Sequence, residues 1–111
     1  MESTGGPRGV LYVIAPATFN TINKWADGIA DTFAVGLLCE AMGGDVPILA
    51  VPLLKAALAR HLAFARNMEA LGAMGVRIMF DPDAPAVARM PSWSQMLDEL
   101  HTMVAERQAQ E

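Results

Sequence analysis

The sequence predicts an α/β fold, a partial βαβαβα unit built on a parallel sheet. Three short apolar runs rich in β-branched residues recur along the chain. Each is followed by apolar residues at helical spacing, and glycines or prolines mark the joints. Alternation of this kind builds a parallel sheet through right-handed crossovers.

The first run, Val10-Leu11-Tyr12-Val13-Ile14-Ala15, is continuously apolar, as a strand covered on both faces requires. Pro16-Ala17-Thr18-Phe19-Asn20-Thr21 reads as a turn. Helical periodicity then runs over 22–42, with Ile22, Trp25, Ala26, Ile29, Phe33 and Leu37 three or four residues apart. Gly43-Gly44 is expected to supply a left-handed C-terminus. Val46-Pro47-Ile48-Leu49-Ala50-Val51 is the second strand, ended by Pro52, and an Ala/Leu-rich helix is expected over 55–71, closing near Gly72 or Gly75. Val76-Arg77-Ile78-Met79-Phe80 is the third strand. Pro82, Pro85 and Pro91 make 81–91 a loop. Ser92-Trp93-Ser94-Gln95 matches a capping box. It opens a last helix presenting Trp93, Met96, Leu97, Leu100 and Val104. Residues 1–9 read as a polar or disordered leader, 10–107 as the partial domain, and 108–111 as a frayed tail.

Composition bounds the function. The 111 residues are 53% hydrophobic and 18% charged, which excludes disorder. A net charge of -4 leaves no basic patch for a nucleic acid. No apolar stretch reaches the ~18 residues of a membrane span. The polar start Met1-Glu2-Ser3-Thr4 lacks the pattern of a signal peptide. The expectation is a soluble, cytoplasmic protein without membrane or nucleic-acid partners. Cys39 is the sole cysteine, so no internal disulfide is possible.

One feature of this order is unusual. A strand apolar on both faces belongs inside a sheet, yet the chain reaches it almost at once. At an edge it would expose unpaired backbone and apolar side chains. The sequence is therefore expected to lack strands that would cover it, or to have them supplied by another chain.

Ligands of open parallel sheets bind beyond the carboxyl ends of the strands, where the turn 16–21 falls. Thr18, Asn20 and Thr21 place hydroxyl and amide groups beside a helix N-terminus, which favours anions such as phosphate. The same residues also suit a plain N-cap.

The segment Ala15-Pro16-Ala17-Thr18-Phe19-Asn20-Thr21, followed by Ala26-Asp27-Gly28-Ile29-Ala30-Asp31-Thr32, resembles a paired signature. The pair is the Pro-Ala-Ser-Ala-Asn-Thr motif and downstream Gly-x-Ala-Asp-Asn of the homo-oligomeric flavin-containing cysteine decarboxylases, a family that includes phosphopantothenoylcysteine decarboxylase. The resemblance covers 10–80 and corresponds to the C-terminal half of that family's domain. It implies a Rossmann-like three-layer αβα fold, FMN as cofactor, and trimers with the flavin at the subunit interface. It also implies that Pro16, Thr18, Phe19, Asn20 and Thr21 bind the cofactor. Thr18 stands at the family's serine, and Phe19 replaces a small residue where it could pack on the flavin edge or crowd it.

The sequence departs from the family at the substrate clamp, Pro-x-Met-Asn-x-x-Met-Trp. Pro52 is present, but Leu54, Lys55, Leu58 and Ala59 replace the remaining motif residues. Lys55 could hold a substrate carboxylate or phosphate as a point charge, or could simply be solvated. The family's catalytic histidine precedes the first motif, whereas no histidine here precedes His61. The family's Gly-rich flavin turn is absent as well. No catalytic residue is therefore assigned, and the fragment is expected to be inactive alone. The other reading is a non-catalytic module that pairs through its first strand, or a truncated product. A small carboxylate- or thiol-bearing substrate is implied only for a complete protein.

Other residues carry ordinary readings. His61 and His101 read as packed or surface helix histidines, and Met68, Met74, Met79, Met90, Met96 and Met103 as core filler. Asp81 and Asp83 suit a turn better than a cation site, and no metal is expected. Cys39 reads as a small buried hydrophobe. Asp27 and Asp31 read as solvated, or as capping contacts between subunits.

Overall fold

In the computed structural model, which describes residues 11–81 and 90–110, three parallel strands form a sheet in the order β1-β2-β3. The chain runs β1 (Tyr12–Ala17), α1 (Phe19–Ala26), α2 (Phe33–Gly43), β2 (Ile48–Pro52), α3 (Ala56–Ala59), α4 (Leu62–Ala73), β3 (Arg77–Ile78) and α5 (Trp93–Ala109). β1 pairs with β2 through Tyr12↔Ile48, Val13↔Leu49 and Ile14↔Ala50, and β2 pairs with β3 through Leu49↔Arg77 and Ala50↔Ile78. The parallel α/β expectation is borne out.

The period-two alternation of strands divides the core between the two sheet faces. On one face Ile48 and Ala50 pack with Ile22 and Trp25 of α1, Val35 and Leu38 of α2, and Phe64 and Leu71 of α4. On the other, Leu49 and Val51 pack against Met96 and Met103 of α5. Helices therefore lie on both sides of the sheet. All five β2 residues are buried, as a strand covered twice must be. β1 is not: Tyr12 and Ile14 join the first cluster, while Val13 is 40% exposed and Ala15 and Pro16 are exposed. Pro16 does not end this strand, which continues to Ala17 with a register shift after Ile14. An edge strand tolerates a residue that cannot donate to the ladder.

Several element boundaries differ from the sequence reading. The expected helix over 22–42 is two helices, and the first begins at Phe19 because the Thr18 hydroxyl caps it by accepting from the Thr21 amide at 3.1 Å. The break follows from Gly28, whose φ of 73° suits a residue without a side chain, and from Thr32, which caps α2. Lys24 bridges the break to Asp31 at 2.6 Å. Ile29, Phe33 and Leu37, expected on an inner face, are exposed at 48%, 84% and 39%. After α2 the left-handed residue is Asp45 (φ 59°), while Gly44 has φ -94°.

The expected helix over 55–71 is also two. His61 starts α4 by accepting a hydrogen bond from the Ala63 amide on Nδ1 at 3.0 Å. The third strand pairs over only Arg77–Ile78, extended by the Met79 amide to the Ala50 carbonyl.

The capping box appears as read. Ser92 accepts from the Gln95 amide and Gln95 Oε1 accepts from the Ser92 amide. The helix stays regular to Ala109, beyond the expected fraying. Its buried residues are Met96 and Met103, whereas Trp93, Leu97 and Val104 are exposed at 76%, 48% and 40%. The methionine reading holds for these two, but Met74 is half exposed. Of the expected polar leader and proline loop, residues 1–10 and 82–89 lie outside the described residues, and so does Asp83.

The two tryptophans give a direct test of this packing. Trp25, 1% exposed, should cost roughly 3–5 kcal/mol on replacement by alanine. Trp93→Ala should change stability by about 0.5 kcal/mol or less. Urea unfolding checks both, and comparable losses would contradict the layering described.

Candidate functional site at the carboxyl ends of the strands

The turn after β1 and the turn after β2 are brought side by side by the sheet itself. Ala17 pairs with Pro52, and the Leu53 amide donates to the Ala17 carbonyl at 3.0 Å. Thr18 therefore follows β1 at the same end where Lys55 follows β2. Lys55 is exposed at the N-cap position of α3 and makes no side-chain capping bond there.

At the start of α1 the Thr18 hydroxyl has two roles. It accepts from the Thr21 amide and donates to Thr21 Oγ1 at 3.0 Å, so the Thr21 proton can serve a further acceptor. The Ile22 amide donates to the Thr18 carbonyl. That leaves the Phe19 and Asn20 amides, in the first turn, without a backbone acceptor among the described residues. Thr18 and Asn20 are exposed, Thr21 is half-buried, and no basic or acidic residue crowds them within the turn. The Ala15–Pro16 bond leading in is cis.

Phe19 points the other way. Its ring lies edge-on to His61 (centroids 5.6 Å apart) and stacks toward Phe64 (6.4 Å), which meets Phe80 edge-on (5.3 Å). This aromatic row closes the core beneath the turn. His61 thus sits beside the turn, in a neighbourhood the sequence reading did not give it. Its capping bond takes Nδ1, and the residue is exposed. Nearby, the buried Asn67 donates to Asn23 Oδ1 at 2.8 Å, tying α4 to α1 behind the turn.

The remaining candidates are placed elsewhere. Asp31 is committed to Lys24, and Asp27 is exposed at the C-cap of α1. Cys39 is half-buried and lines a shallow cleft of about 560 Å³ with Trp25, Gly28 and Met42. A second cleft of about 300 Å³ lies at the amino ends of the strands, among Pro47, Val76, Arg77 and Arg107. Neither cleft includes a residue of the 18–21 turn. The strand-end rule favours the carboxyl-end face over both hollows. His101 is exposed on α5.

Capping and ligand chemistry can be separated by mutation. Thr18→Ala should cost about 1 kcal/mol as a lost N-cap, whereas Asn20→Ala should stay within about 0.5 kcal/mol. Equal losses in urea unfolding would show that Asn20 has a structural task that the geometry does not assign to it.

Comparison with known proteins agrees with this topology. The sequence profile of the Flavoprotein family matches residues 8–105. A cysteine/cysteine sulfinic acid decarboxylase from an unknown prokaryotic organism is 39% identical over 69 residues, covering 62% of this chain and 18% of that protein. Among solved structures, the FMN-dependent cysteine decarboxylase SpaF is 38% identical (TM-score 0.51), covering 60% of this chain and 36% of that one. TvaF, from thioviridamide biosynthesis, is 33% identical with a TM-score of 0.55, over 60% and 40%. HAL3 from Cryptococcus neoformans shares the fold over 88% of this chain at a TM-score of 0.73 and 23% identity, but this covers only half of HAL3. The chain thus spans under a fifth of the curated relative and at most half of these solved structures. The resemblance to the flavin-containing cysteine decarboxylases is borne out, and the chain belongs to the Flavoprotein family.

Proposed function

We propose that this chain is the FMN-associated half of a decarboxylase- or oxidoreductase-like flavoprotein, and that it is inactive alone. The observation that carries the reading is the exposed start of α1. Two amides without backbone acceptors among the described residues and the hydroxyls of Thr18 and Thr21 stand together at the carboxyl end of a parallel strand. That donor set fits the phosphate of FMN. SpaF and TvaF are described as FMN-dependent cysteine decarboxylases, which supports the same cofactor here.

In this reading Thr18, Asn20 and Thr21 hold the phosphate end, with Pro16 setting the approach of the chain. Phe19 acts from below, through the aromatic row that fixes the turn. When bound, a flavin supplies a two-electron acceptor, the chemistry required to oxidise a small thiol- or carboxylate-bearing substrate. Lys55, on the adjacent turn, supplies a point charge for a substrate anion. Among the described residues neither cleft includes the 18–21 turn, so the walls for a flavin ring are sought elsewhere. These would come from the rest of the domain or from another subunit, in line with the trimer that the family resemblance implies.

Amide resonances read this directly in the chain alone. Titration with FMN should shift Phe19, Asn20 and Thr21, and riboflavin, which lacks the phosphate, should shift them far less. Lys55→Gln should leave those shifts intact. Equal responses to both flavins, or shifts confined to the Trp25–Met42 cleft, would overturn the proposal.

A further inference from the structure

Three helices end at one hollow. The cleft of about 560 Å³ is lined by Ala26 and Asp27 at the end of α1, Met42 and Gly43 at the end of α2, and Met74 at the C-cap of α4. The C-terminal end of a helix carries partial negative charge, from carbonyls that find no partner in a further turn. Here the last helical carbonyls of α1 and α2, those of Ala26 and Gly43, accept no backbone hydrogen bond among the described residues. Neither α2 nor α4 has a basic residue in its last turn. Lys24, in the last turn of α1, is committed to Asp31 at 2.6 Å. Among the described residues that line the cleft none is basic, and the one acidic group is the exposed Asp27. The cleft favours a cation that its own walls do not supply.

The rest of the lining is apolar. Trp25 is buried, and its indole N–H donates to Met42 Sδ at 2.7 Å, which holds that thioether in place. Met74 is half exposed and Cys39 half-buried. Thioethers are polarizable and unbranched, so they adapt to an apolar guest, and the volume falls in the range of small-molecule pockets. The described residues hold no cluster of three His, Cys, Asp or Glu, as a hard metal ion would require. The adjoining hollow of about 300 Å³ shares Met42 and Met74. Its arginines are already paired, Arg77 with Glu99 and Glu106 and Arg107 with Asp45, so they add no net positive charge.

We infer that this cleft is a binding site for a small organic ammonium ion with an apolar body. The ammonium end lies against the helix termini and Asp27, and the body lies on Met42, Met74 and Cys39. Both parts are needed, because an exposed charge contact is worth little alone and one small ring buries little apolar area. The inference is independent of flavin binding, since the cleft does not include the 18–21 turn.

Amide resonances of the full chain test it, with benzyltrimethylammonium as the probe at constant ionic strength. The probe should shift Gly28, Gly43 and Met74 and leave Phe19 and Asn20 unmoved. Benzyl alcohol has the ring without the charge, and tetramethylammonium has the charge without the ring. Each should shift the same amides far less. Asp27→Asn, at an exposed position, should leave melting unchanged and weaken the probe about threefold. Met74→Lys puts a tethered cation where the helix ends favour one. It should not lower the melting temperature, and it should weaken the probe about tenfold or more. Benzyl alcohol or tetramethylammonium binding as tightly as the probe would overturn the inference. So would unchanged probe affinity in both variants, or no shift at these amides in the wild type.

Discussion

The structure depends on one constraint: a parallel strand apolar on both faces must be covered on both. β2 meets it in full, with α1, α2 and α4 on one side and α5 on the other. β1 meets it on one side only. Its inner residues belong to the main cluster, while Val13, Ala15 and Pro16 are exposed and no described strand pairs with its outer edge. At about 25 cal/mol per Å² of apolar surface, a face of this kind is a standing driving force for association.

The same pairing that half-buries β1 also builds the candidate site. Because Ala17 is held to the start of the next turn through Leu53, the Thr18 turn and Lys55 share one end of the sheet. The aromatic row from Phe19 through Phe64 to Phe80 and the Asn67–Asn23 bond then brace α1 against α4. Among the described residues the site is thus braced from the α4 side. The solved relatives are at least twice as long as the part matched here.

The sequence exposed most of this logic, and its failures have local causes. The capping box at Ser92 and the strand-like runs were legible because each is set by neighbouring residues. The break between α1 and α2 was not, because Ile29, Phe33 and Leu37 keep the helical spacing across it while Gly28 and the Thr32 cap interrupt the backbone. His61 was passed over beside the site, since a histidine acting as an N-cap acceptor resembles any other helix residue in sequence. The turn at Thr18–Thr21 was found by position, but the inward direction of Phe19 depends on Phe64, 45 residues away in the chain. Five apolar positions of α5 were legible from their spacing, but of these only Met96 is buried. Their division between a packed face and an open flank depends on which strand Arg77 occupies, a tertiary fact.

Hydrogen exchange at the Val13 amide tests the central claim most directly. If β1 is an unsatisfied edge, that amide exchanges with little protection in the isolated monomeric chain, while the Ile14 amide, turned toward β2, is protected. Strong protection of Val13 in the monomer would mean that the edge is already covered, and the account of an open half-domain would fail.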